Sequence, residues 1–421
     1  MNVAIITDSF PPMVDGVSRC ALGYAKALQD GGHGNCIVIT PHTPRVKHEY
    51  SFPVYGFPSV SFPYAEYRAG HPFVPHLAKK LKNMNIEILH AHSPFTSMIL
   101  ARQLRRLLKI PIVFTQHTKW DFDIAQAISS KVLQREIARY VYKNLGKADD
   151  LWAVSRGAGE YLVNRGYKGS FTVMQNGTDF KKAEVDPAAI EQINNRFNIP
   201  EGVPVLLFVG RMLWYKNIAL TIETLELLHK RKFDFRMIFV GDGEDYTEII
   251  KMVQDKGLAE IVHFTGNIDD RDDLMTYYMR ADLFLFLSVY DNAPLVIQEA
   301  AACACPAIVV RDSSTSEIID DGITGFFAEE NAESAADAII GAFSDKKRLE
   351  EIGIAASEQV YSTWEKAVER AVSRYEFVKE AYKEKHAAAK SNKRRSKGAG
   401  LKEEQVKELD KHSDKDEMFD D

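Results

Sequence analysis

Short apolar runs alternate with amphipathic segments through most of the chain. In the first half the apolar runs are NVAIIT, CIVIT, IEILHAH, IPIVFTQH and LWAVS, and segments between them, such as RCALGYAKALQD at residues 19–30, have the apolar spacing of helices. Short buried strands that alternate with helices are typical of βαβ units, in which helices cover both faces of a parallel sheet. The pattern therefore predicts a doubly wound α/β domain over residues 1–183.

The alternation stops near residue 183 and then starts again. Residues 181–204 are polar and contain three prolines, which predicts a linker at residues 184–203. From PVLLFVGR onward the strand-like and helix-like segments repeat, and they predict a second doubly wound domain over residues 204–365. Residues 366–385 have the pattern of a helix. Residues 386–421 are rich in charge and poor in large apolar side chains, so we expect a disordered tail.

The composition narrows the functional classes. A chain of 421 residues suits two or three domains, and contents of 45% hydrophobic and 27% charged residues are typical of globular proteins. The net charge of -6 argues against a general nucleic-acid binder, which needs a positive surface. The four cysteines lack zinc-ligand spacing, which favours a reducing, cytosolic compartment. No stretch reaches the roughly 18 apolar residues of a membrane span, and the apolar start is too short for a signal peptide.

Candidate ligand-binding residues follow the predicted strands. In open parallel sheets ligands bind beyond the carboxyl ends of the strands, so two such sheets would share a site in the cleft between them. The residues at these ends include Gly16, His90, His92, His117, Arg211, Gly241 and Gly266. The sequence contains neither the dinucleotide motif GxGxxG nor a P-loop, which argues against a nicotinamide dehydrogenase and a P-loop enzyme.

Three features of these strand ends favour a nucleotide or another phosphate ligand. Arg211 and Lys216 lie between a strand and a helix, and a guanidinium and an ammonium both bind phosphate. Pro294 fits the first turn of a helix over residues 295–303, whose free N–H groups favour an anion in the same cleft. Gly16 precedes a helix in the first half, where its backbone can approach a ligand closely. Each feature alone fits a purely structural role, and only their coincidence favours function.

Two carboxylates, Asp291 and Glu299, stand eight positions apart in the segment SVYDNAPLVIQEAAACACP. We expect Asp291 in the loop before a helix and Glu299 inside that helix. In an apolar setting both are suited to accept hydrogen bonds from the hydroxyl groups of a sugar or a ribose. They could instead be the acid and base of a glycoside hydrolase. A hydrolase does not need the neighbouring Arg211 and Lys216, so the sequence favours a nucleotide sugar.

The spacing Asp291-x7-Glu299, with the Ala-rich sequence and Pro306 after it, resembles the Glu-x7-Glu motif of the retaining nucleotide-sugar glycosyltransferases of family 4. Further segments resemble that family in the same order, up to about residue 385. They are MQNGTD (174–179), FVGR with Lys216 (208–216), FVGDGE (239–244), FTG (264–266) and EIIDDGITGF (317–326). The resemblance implies the GT-B fold. In that fold two Rossmann-like domains face each other across a cleft, and we expect the C-terminal helix to return to the N-terminal domain.

The resemblance also implies roles for single residues in catalysis and in donor binding. Arg211 and Lys216 would hold the diphosphate of the donor, and Gly16 would approach its phosphates from the N-terminal domain. Glu299 would bind the ribose hydroxyls, Asp291 the hydroxyls of the transferred sugar, and His117 would lie beside that sugar. The backbone at Gly266 and Asn267 would bind the base. Gly241 after its strand and Asn292, Leu295 and Val296 at the helix start complete the predicted donor site.

The sequence departs from the family motif at two places. The first acid is Asp291 rather than Glu, and Asn292 and Ala293 replace the usual Phe-Gly. The identity of the transferred sugar is the property that these changes put in question. The resemblance implies transfer of a hexose from a nucleotide diphosphate sugar, most simply one like UDP-glucose, to a hydroxyl acceptor. It also implies catalysis without a metal ion or another cofactor.

Segments of the first half resemble the diacylglycerol glycosyltransferase branch of the family. These segments are ITDSFPPMVDGVS, LHAHSPF and FTQHTKWD. They imply a membrane lipid such as diacylglycerol as the acceptor, whereas a soluble sugar or polysaccharide acceptor stays open. Because no membrane span is expected, the protein would be cytoplasmic and peripheral on the inner face of the cell membrane.

Three other functions are compatible with parts of the sequence. His90, His92 and His117 could form the metal site of a hydrolase, although no carboxylate stands near them as a further ligand. A nucleotide-sugar epimerase would have a similar fold. A binding protein without activity is a third alternative, because Asp291 and Asn292 differ from the family motif.

A basic helix in the first half is the candidate membrane surface. Arg102, Arg105, Arg106 and Lys109 have the spacing of one helix face, and Lys79, Lys80 and Lys82 add charge in the preceding helical segment. Such a face on an acidic protein could bind anionic lipid. The alternative is an ordinary solvated helix surface.

Overall fold

The computed structural model of the protein describes residues 1–13, 15–61, 68–70, 74–181 and 186–388. The predicted tail from residue 389 onward therefore lies outside the described residues, as do residues 184 and 185 of the predicted linker. Two parallel sheets organise the described part of the chain, one in each half.

The first half contains a seven-stranded parallel sheet in the order β3-β2-β1-β6-β7-β8-β9. The strands of this half are β1 (Asn2–Ile6), β2 (Asn35–Pro41), β3 (Val54–Phe57), β4 (Ser59–Ser61), β5 (Arg68–Gly70), β6 (Ile88–Ala91), β7 (Ile112–Gln116), β8 (Asp150–Ala153) and β9 (Thr172–Val173). β4 and β5 form a separate antiparallel pair. The helices are α1 (Gly16–Asp30), α2 (Pro75–Asn83), α3 (Thr96–Leu108), α4 (Trp120–Ala127), α5 (Lys131–Leu145) and α6 (Arg156–Asn164).

The second half contains a six-stranded parallel sheet in the order β12-β11-β10-β13-β14-β15. Its strands are β10 (Val205–Val209), β11 (Arg236–Val240), β12 (Val262–Phe264), β13 (Leu283–Phe286), β14 (Ala307–Val310) and β15 (Gly325–Ala328). The helices are α7 (Pro187–Arg196), α8 (Ile218–Lys230), α9 (Tyr246–Asp255), α10 (Arg271–Arg280), α11 (Leu295–Ala302), α12 (Ala332–Phe343) and α13 (Lys346–Gln359), with short 3-10 turns at Trp214–Lys216 and Ser316–Ile318.

The uninterrupted apolar runs of the sequence form the central strands of both sheets. Every residue of β6, β7, β10 and β13 is buried, because helices cover both faces of each sheet. This confirms the predicted α/β architecture with two doubly wound sheets. The boundaries of the two domains stay predictions.

The segment that we predicted as a linker contains a packed helix. α7 begins with Asp186 as its N-cap and Pro187 at its first position, which is a favoured helix start. Ile193, Phe197 and Ile199 are buried in the core around the second sheet. The polar composition of this stretch concealed its three core residues.

The last helix, α14 at residues 364–388, returns to the first half, as the sequence predicted. Trp364, Val368 and Tyr375 are buried in one cluster with residues of β1, α1 and β8. Gly23 of α1 allows this contact, since a Cβ atom there would stand 2.2 Å from the Trp364 ring. The Arg374 guanidinium also forms a salt bridge of 2.7 Å with Asp150. The chain thus ties its C-terminal end to its N-terminal sheet.

The basic face predicted for α3 needs correction. Arg102 donates a hydrogen bond to Asn144, and Arg105 binds Asp149 at 2.9 Å and lies over the Tyr382 ring. These two guanidinium groups hold helices together, whereas Arg106 and Lys109 are exposed. Within the described ranges, no helix combines the length and the apolar character that crossing a membrane requires.

Candidate active site

The predicted site residues lie where the carboxyl ends of the two sheets face each other. Specific polar contacts join the two halves there. Lys119 donates to the Val289 carbonyl at 3.1 Å, and Asn292 donates to the His117 carbonyl at 2.9 Å. Glu317 of the second half accepts hydrogen bonds of 2.6 Å from two backbone N–H groups at the start of α6. The cleft is therefore bridged by specific polar contacts.

Lys216 and Asp291 form an ion pair on the second-half side of the cleft. The Lys216 ammonium donates to the two carboxylate oxygens of Asp291 at 2.8 and 2.9 Å, and the Ser288 hydroxyl donates to Asp291 at 2.7 Å. The side chains of Lys216 and Asp291 are 13% and 18% exposed, so solvent screens this pair only in part. The diphosphate-binding and sugar-binding residues that the sequence proposed are thus in direct contact with each other.

Arg211 is in a different situation. It follows β10 and is exposed, and no hydrogen bond or ion pair engages its guanidinium in the described part of the chain. Its five N–H donors remain available for a ligand in the cleft. A phosphate would meet this guanidinium without first displacing a protein partner.

Glu299 is buried inside α11, at 1% exposure, and is surrounded by donors. Arg271 donates to it at 2.7 Å, the Tyr278 hydroxyl donates at 3.0 Å, and Arg19 of the other half lies 3.5 Å from the same oxygen that Arg271 binds. Burial opposes the charge of Arg271, but the carboxylates of Glu299 and Asp179 outweigh this effect and raise its pKa. These charges hold Glu299 in a fixed position, as a hydroxyl-binding carboxylate requires.

A row of histidines runs from the cleft into the first half, where His117 is half-buried and His92 and His90 behind it are buried. The Nδ1 atom of His92 is 2.9 Å from the Nε2 atom of His117, and His90 is held by Thr115 at 2.7 Å and by Tyr375 at 2.6 Å. Burial lowers the pKa of His117 to about 3, and it lowers the pKa values of His90 and His92 well below the ordinary value for histidine. All three rings are therefore neutral at pH 7.

The histidines do not converge on a metal site. Both ring nitrogens of His90 bond to Thr115 and Tyr375, and Nδ1 of His92 is in contact with Nε2 of His117. Among the residues that the structure describes, no group of three or more histidine, cysteine, aspartate or glutamate side chains is arranged to hold a metal ion. This arrangement does not support the alternative of a metal hydrolase.

The predicted site glycines, Gly16, Gly241 and Gly266, differ in the space around them. A Cβ atom on Gly16 would meet no protein atom within 4 Å, so open space lies in front of the start of α1. Gly241 has a φ of 129°, and a Cβ atom there would stand 2.0 Å from the Gly210 carbonyl oxygen. The close packing of two loops thus explains Gly241, whereas Gly16 and Gly266 leave room for a ligand. Asn267 is exposed and bonds to Asp269.

The start of α11 joins the cores of both halves. Pro294 is the N-cap residue, and the next two residues pack in opposite directions. Leu295 contacts the buried cluster of the first half, and Val296 contacts that of the second. The structure therefore brings Asn292, Leu295 and Val296 to the cleft, where the first two contact the opposite half.

Sequence reasoning missed three cations of the site. Arg19 lies one helical turn after Gly16, so the helical period could have placed it at the cleft. Lys119 follows the His117 strand end closely and could have been found in the same way. Arg271 is the first residue of α10, and the polar sequence around it contains no signal of its contact with Glu299.

Models of two glycosyltransferase families match the chain. The model described as Glycosyltransferase Family 4 matches residues 14–182, and the model described as Glycosyl transferases group 1 matches residues 189–359. Together the two matches cover most of the chain and meet within the predicted linker.

Characterised relatives align with this chain over most of the length of both proteins. The alpha-monoglucosyldiacylglycerol synthase of Acholeplasma laidlawii is 24% identical over 346 residues, which are 79% of this chain and 86% of that protein. A GDP-mannose-dependent alpha-mannosyltransferase of Corynebacterium glutamicum is 26% identical over 392 residues, 90% of this chain and 89% of that protein.

The crystal structure of HepE from Anabaena in complex with UDP has a similar fold, with a TM-score of 0.70. It is 18% identical and the match covers 89% of this chain and 99% of HepE. The two facing sheets, the two family models and the relatives agree. The chain belongs to glycosyltransferase family 4, has the GT-B fold and resembles the diacylglycerol glycosyltransferase branch of that family.

Proposed function

We propose that the protein transfers a hexose from a nucleotide diphosphate sugar to a hydroxyl acceptor, with retention of configuration and without a metal ion. One observation carries this proposal. A single cleft combines Arg211, which has no partner in the described ranges, the Lys216–Asp291 pair and the buried Glu299, and His117 faces them from the other half. These groups match the diphosphate, the sugar and the ribose of such a donor. UDP-glucose is the simplest donor, and the name of the corynebacterial relative makes GDP-mannose the main alternative.

Arg211 and Lys216 bind the diphosphate in this proposal. As the bond between sugar and phosphate lengthens, negative charge grows on the leaving diphosphate, and two cations at this position stabilise it. A preorganised donor of this kind contributes roughly 3–4 kcal/mol to transition-state stabilisation. Lys216 moves from Asp291 to the phosphate when the donor binds, and this frees the Asp291 carboxylate for sugar hydroxyls.

Glu299 binds the ribose hydroxyls. Arg271 and Tyr278 keep their contacts with Glu299, because they belong to the same half. Arg19, at 3.5 Å and from the other half, is the contact that a ribose displaces most easily. Donor binding would thereby replace the Arg19–Glu299 contact across the cleft by contacts between the donor and both halves.

The acceptor hydroxyl attacks from the face that the diphosphate leaves, so configuration is retained. A leaving phosphate oxygen takes the proton of the acceptor. His117 is a poor candidate for this proton, since burial lowers its pKa to about 3 and makes it a weak base. We propose that His117 instead donates a hydrogen bond to the transferred sugar.

A membrane lipid hydroxyl, such as that of diacylglycerol, is the proposed acceptor. This acceptor is supported by the name of the Acholeplasma relative and by the three first-half segments LHAHSPF, FTQHTKWD and ITDSFPPMVDGVS. The protein would then be cytoplasmic and bind peripherally to the inner face of the cell membrane. A soluble sugar or polysaccharide is the alternative acceptor.

The membrane contact would use what we call the α3–α5 surface. Its exposed basic residues are Arg106, Lys109, Arg135, Arg139 and Lys143, and its exposed apolar residues are Leu107, Val132, Leu133 and Tyr140. The exposed lysines of the neighbouring α2, Lys79, Lys80 and Lys82, extend the positive charge. Positive charge combined with apolar side chains is suited to an anionic lipid surface.

The test has two stages. Thermal shifts with UDP-glucose, GDP-mannose and the bare nucleotide diphosphates identify the donor. Mass spectrometry then follows products with diacylglycerol in anionic vesicles and, separately, with soluble sugars, with and without a chelator, and NMR of the product gives the anomeric configuration. We expect an α-linked glycolipid whose formation a chelator does not change. An inverted anomer, or loss of activity with the chelator, would contradict the mechanism. Binding without transfer, hydrolysis or epimerisation would identify a silent binding protein.

A further inference from the structure

His92 stands directly behind His117. It follows β6, is 2% exposed, and its Nδ1 atom lies 2.9 Å from the Nε2 atom of His117. The two rings are nearly coplanar, with 17° between their planes. The other ring nitrogen of His92, Nε2, is buried and has no hydrogen-bond partner in the part of the chain that the structure describes. This unequal environment of the two nitrogens determines where the shared proton can be.

Two arrangements of protons are compatible with the 2.9 Å contact. Both rings are neutral, because burial lowers the pKa of each. Either the Nδ1–H group of His92 donates to His117, or the Nε2–H group of His117 donates to His92. In the second arrangement the proton of His92 must be on its buried Nε2 atom, where no acceptor is present. A buried N–H group without an acceptor is rare in proteins, and an unpaired acceptor is tolerated more often.

We propose that His92 is a positioning residue that donates its Nδ1–H group to Nε2 of His117 and thereby fixes the His117 tautomer with its proton on Nδ1. His117 then presents a neutral N–H donor, rather than an acceptor, on its remaining ring nitrogen. Such a donor fits a hydroxyl oxygen of the transferred sugar. This last step rests on the proposed function, whereas the tautomer itself does not.

His90 provides a matched control on the same strand. Its ring lies 4.1 Å from that of His92 and is equally buried, but its two nitrogens bond to Thr115 and Tyr375 rather than to His117. Replacement of His90 therefore removes a buried imidazole from the same cluster without removing the contact that sets the tautomer.

The first measurement is the ring nitrogen spectrum of the ligand-free protein labelled with 15N-histidine. The chain contains 12 histidines, and the His117 signals are those that disappear in His117→Asn. We expect protonated Nδ1 and unprotonated Nε2 for His117 in the parent and in His90→Asn. In His92→Leu the two forms should exchange, and the His117 signals should become intermediate. A proton on Nε2 in the parent, or unchanged His117 signals in His92→Leu, would overturn the proposal.

The second measurement uses His92→Asn as a conservative variant, because its amide nitrogen can occupy the position of Nδ1. We expect kcat to fall roughly tenfold in His92→Leu, the worth of one positioned hydrogen bond, and to return to within about threefold in His92→Asn. Binding of the bare nucleotide diphosphate should not change in either variant, since the other half binds it. Equal losses in both variants would overturn the proposal. If the parent has no transferase activity at all, the proposed function fails, and the nitrogen spectrum still tests the tautomer.

Discussion

The two sides of the cleft are built from different chemistry. The second half contributes charge, with Lys216 bound to Asp291 at 2.8 Å and Arg271 bound to the buried Glu299 at 2.7 Å. The first half contributes the cations Arg19 and Lys119 and, beside them, the neutral histidines His90, His92 and His117, whose pKa values burial lowers. Two halves with the same architecture therefore offer very different surfaces to a ligand.

This difference suits the two ends of a transfer reaction. A diphosphate carries two or more negative charges, and Arg211 and Lys216, which are proposed to bind it, belong to the second half. Lys216 and Arg271 of that half are paired with carboxylates, whereas Arg211 has no such partner among the described residues. A hydroxyl acceptor is neutral, so it needs hydrogen-bond partners and a surface that excludes water. The histidines supply both. The comparison teaches that the electrostatics, more than the fold, distinguishes the donor half from the acceptor half.

The largest expected effect comes from removing the cations of the donor half. We expect Arg211→Ala and Lys216→Ala each to lower turnover by about 100- to 1,000-fold, because each loses a preorganised charge at the leaving diphosphate. Arg211→Ala should leave the thermal midpoint almost unchanged, since the exposed Arg211 has no partner within the described residues. Lys216→Ala should lower the midpoint more, because it leaves Asp291 unpaired. Steady-state kinetics measures the turnover of the two variants, and thermal unfolding measures their midpoints.

Lys251→Ala is the matched control for these variants. Lys251 is exposed on α9, in the same half but on a helix that supplies none of the proposed site residues. Turnover of the two site variants within about threefold of the parent would mean that the charged side of the cleft does not bind a leaving diphosphate.

The next largest effect distinguishes the roles of the two carboxylates of the donor half, Glu299 and Asp291. Glu299→Gln should weaken binding of the bare nucleotide diphosphate at least tenfold, because a ribose loses a charged hydrogen-bond acceptor. Asp291→Asn should change that affinity little and lower kcat much more, because its carboxylate acts on the transferred sugar. Calorimetry with the nucleotide diphosphate and kinetics with the donor sugar measure the two effects. Equal losses of nucleotide affinity in both variants would show that the two acids do not divide the donor in this way.

The fold was largely predictable from the sequence, because its signals are local. Each buried strand is a short apolar run, and each helix repeats its apolar positions with a helical period. α7 is the exception in the second half. The core residues Ile193 in α7 and Phe197 and Ile199 just after it stand among asparagines and acids, so their burial depends on contacts with distant helices that composition does not reveal.

The candidate site was predictable only for residues that belong to a motif or follow a strand. Asp291, Glu299, Arg211 and Lys216 were found in this way. Arg271 was not, since its role depends on a contact across 28 positions with Glu299. The sequence also could not show that Lys216 and Asp291 contact each other, because the pair joins loops after two different strands. Pairing of side chains is a property of the folded chain.

A smaller effect tests the neutral character of the acceptor half. The unfolded chain binds protons on its histidines below pH 6.5, but His90, His92 and His117 stay neutral in the folded protein, so acid should destabilise it. Asp8 opposes this, because burial raises its pKa from 3.8 to about 6 and the folded protein keeps that proton. Three histidines less one carboxyl leave about two protons, or about 2.7 kcal/mol of lost stability per pH unit between about pH 6 and pH 4.

The pH dependence of the thermal midpoint measures this slope. His92→Asn should remove one titrating group and flatten the slope, and His229→Asn, on the exposed surface of α8, is the matched control. A midpoint that rises on acidification from pH 6 to pH 4 would mean that the buried histidines are charged, and the contrast between the two sides of the cleft would then be wrong.

The smallest effect concerns the outer surface of the acceptor half. Only cations without a protein partner can bind lipid headgroups freely, so the α3–α5 surface should depend on Arg135, which is exposed, rather than on Arg102 or Arg105. We expect Arg135→Gln to lower binding to anionic vesicles about fivefold at low salt, the usual share of one basic residue. Lys251→Gln, in the donor half, should leave binding unchanged. High salt should weaken binding of the parent, because it screens exposed charges.

Arg102→Gln distinguishes a lipid-binding arginine from a structural one. Arg102 bonds to Asn144 between α3 and α5, so this variant should lower the thermal midpoint and change vesicle binding less than Arg135→Gln does. Cosedimentation with anionic and with neutral vesicles, at low and high salt, measures all of these variants. If the parent stays in the supernatant with anionic vesicles at low salt, the acceptor half has no membrane surface. The neutral side of the cleft would then be facing a soluble hydroxyl acceptor, and the glycolipid product should be absent from the same samples.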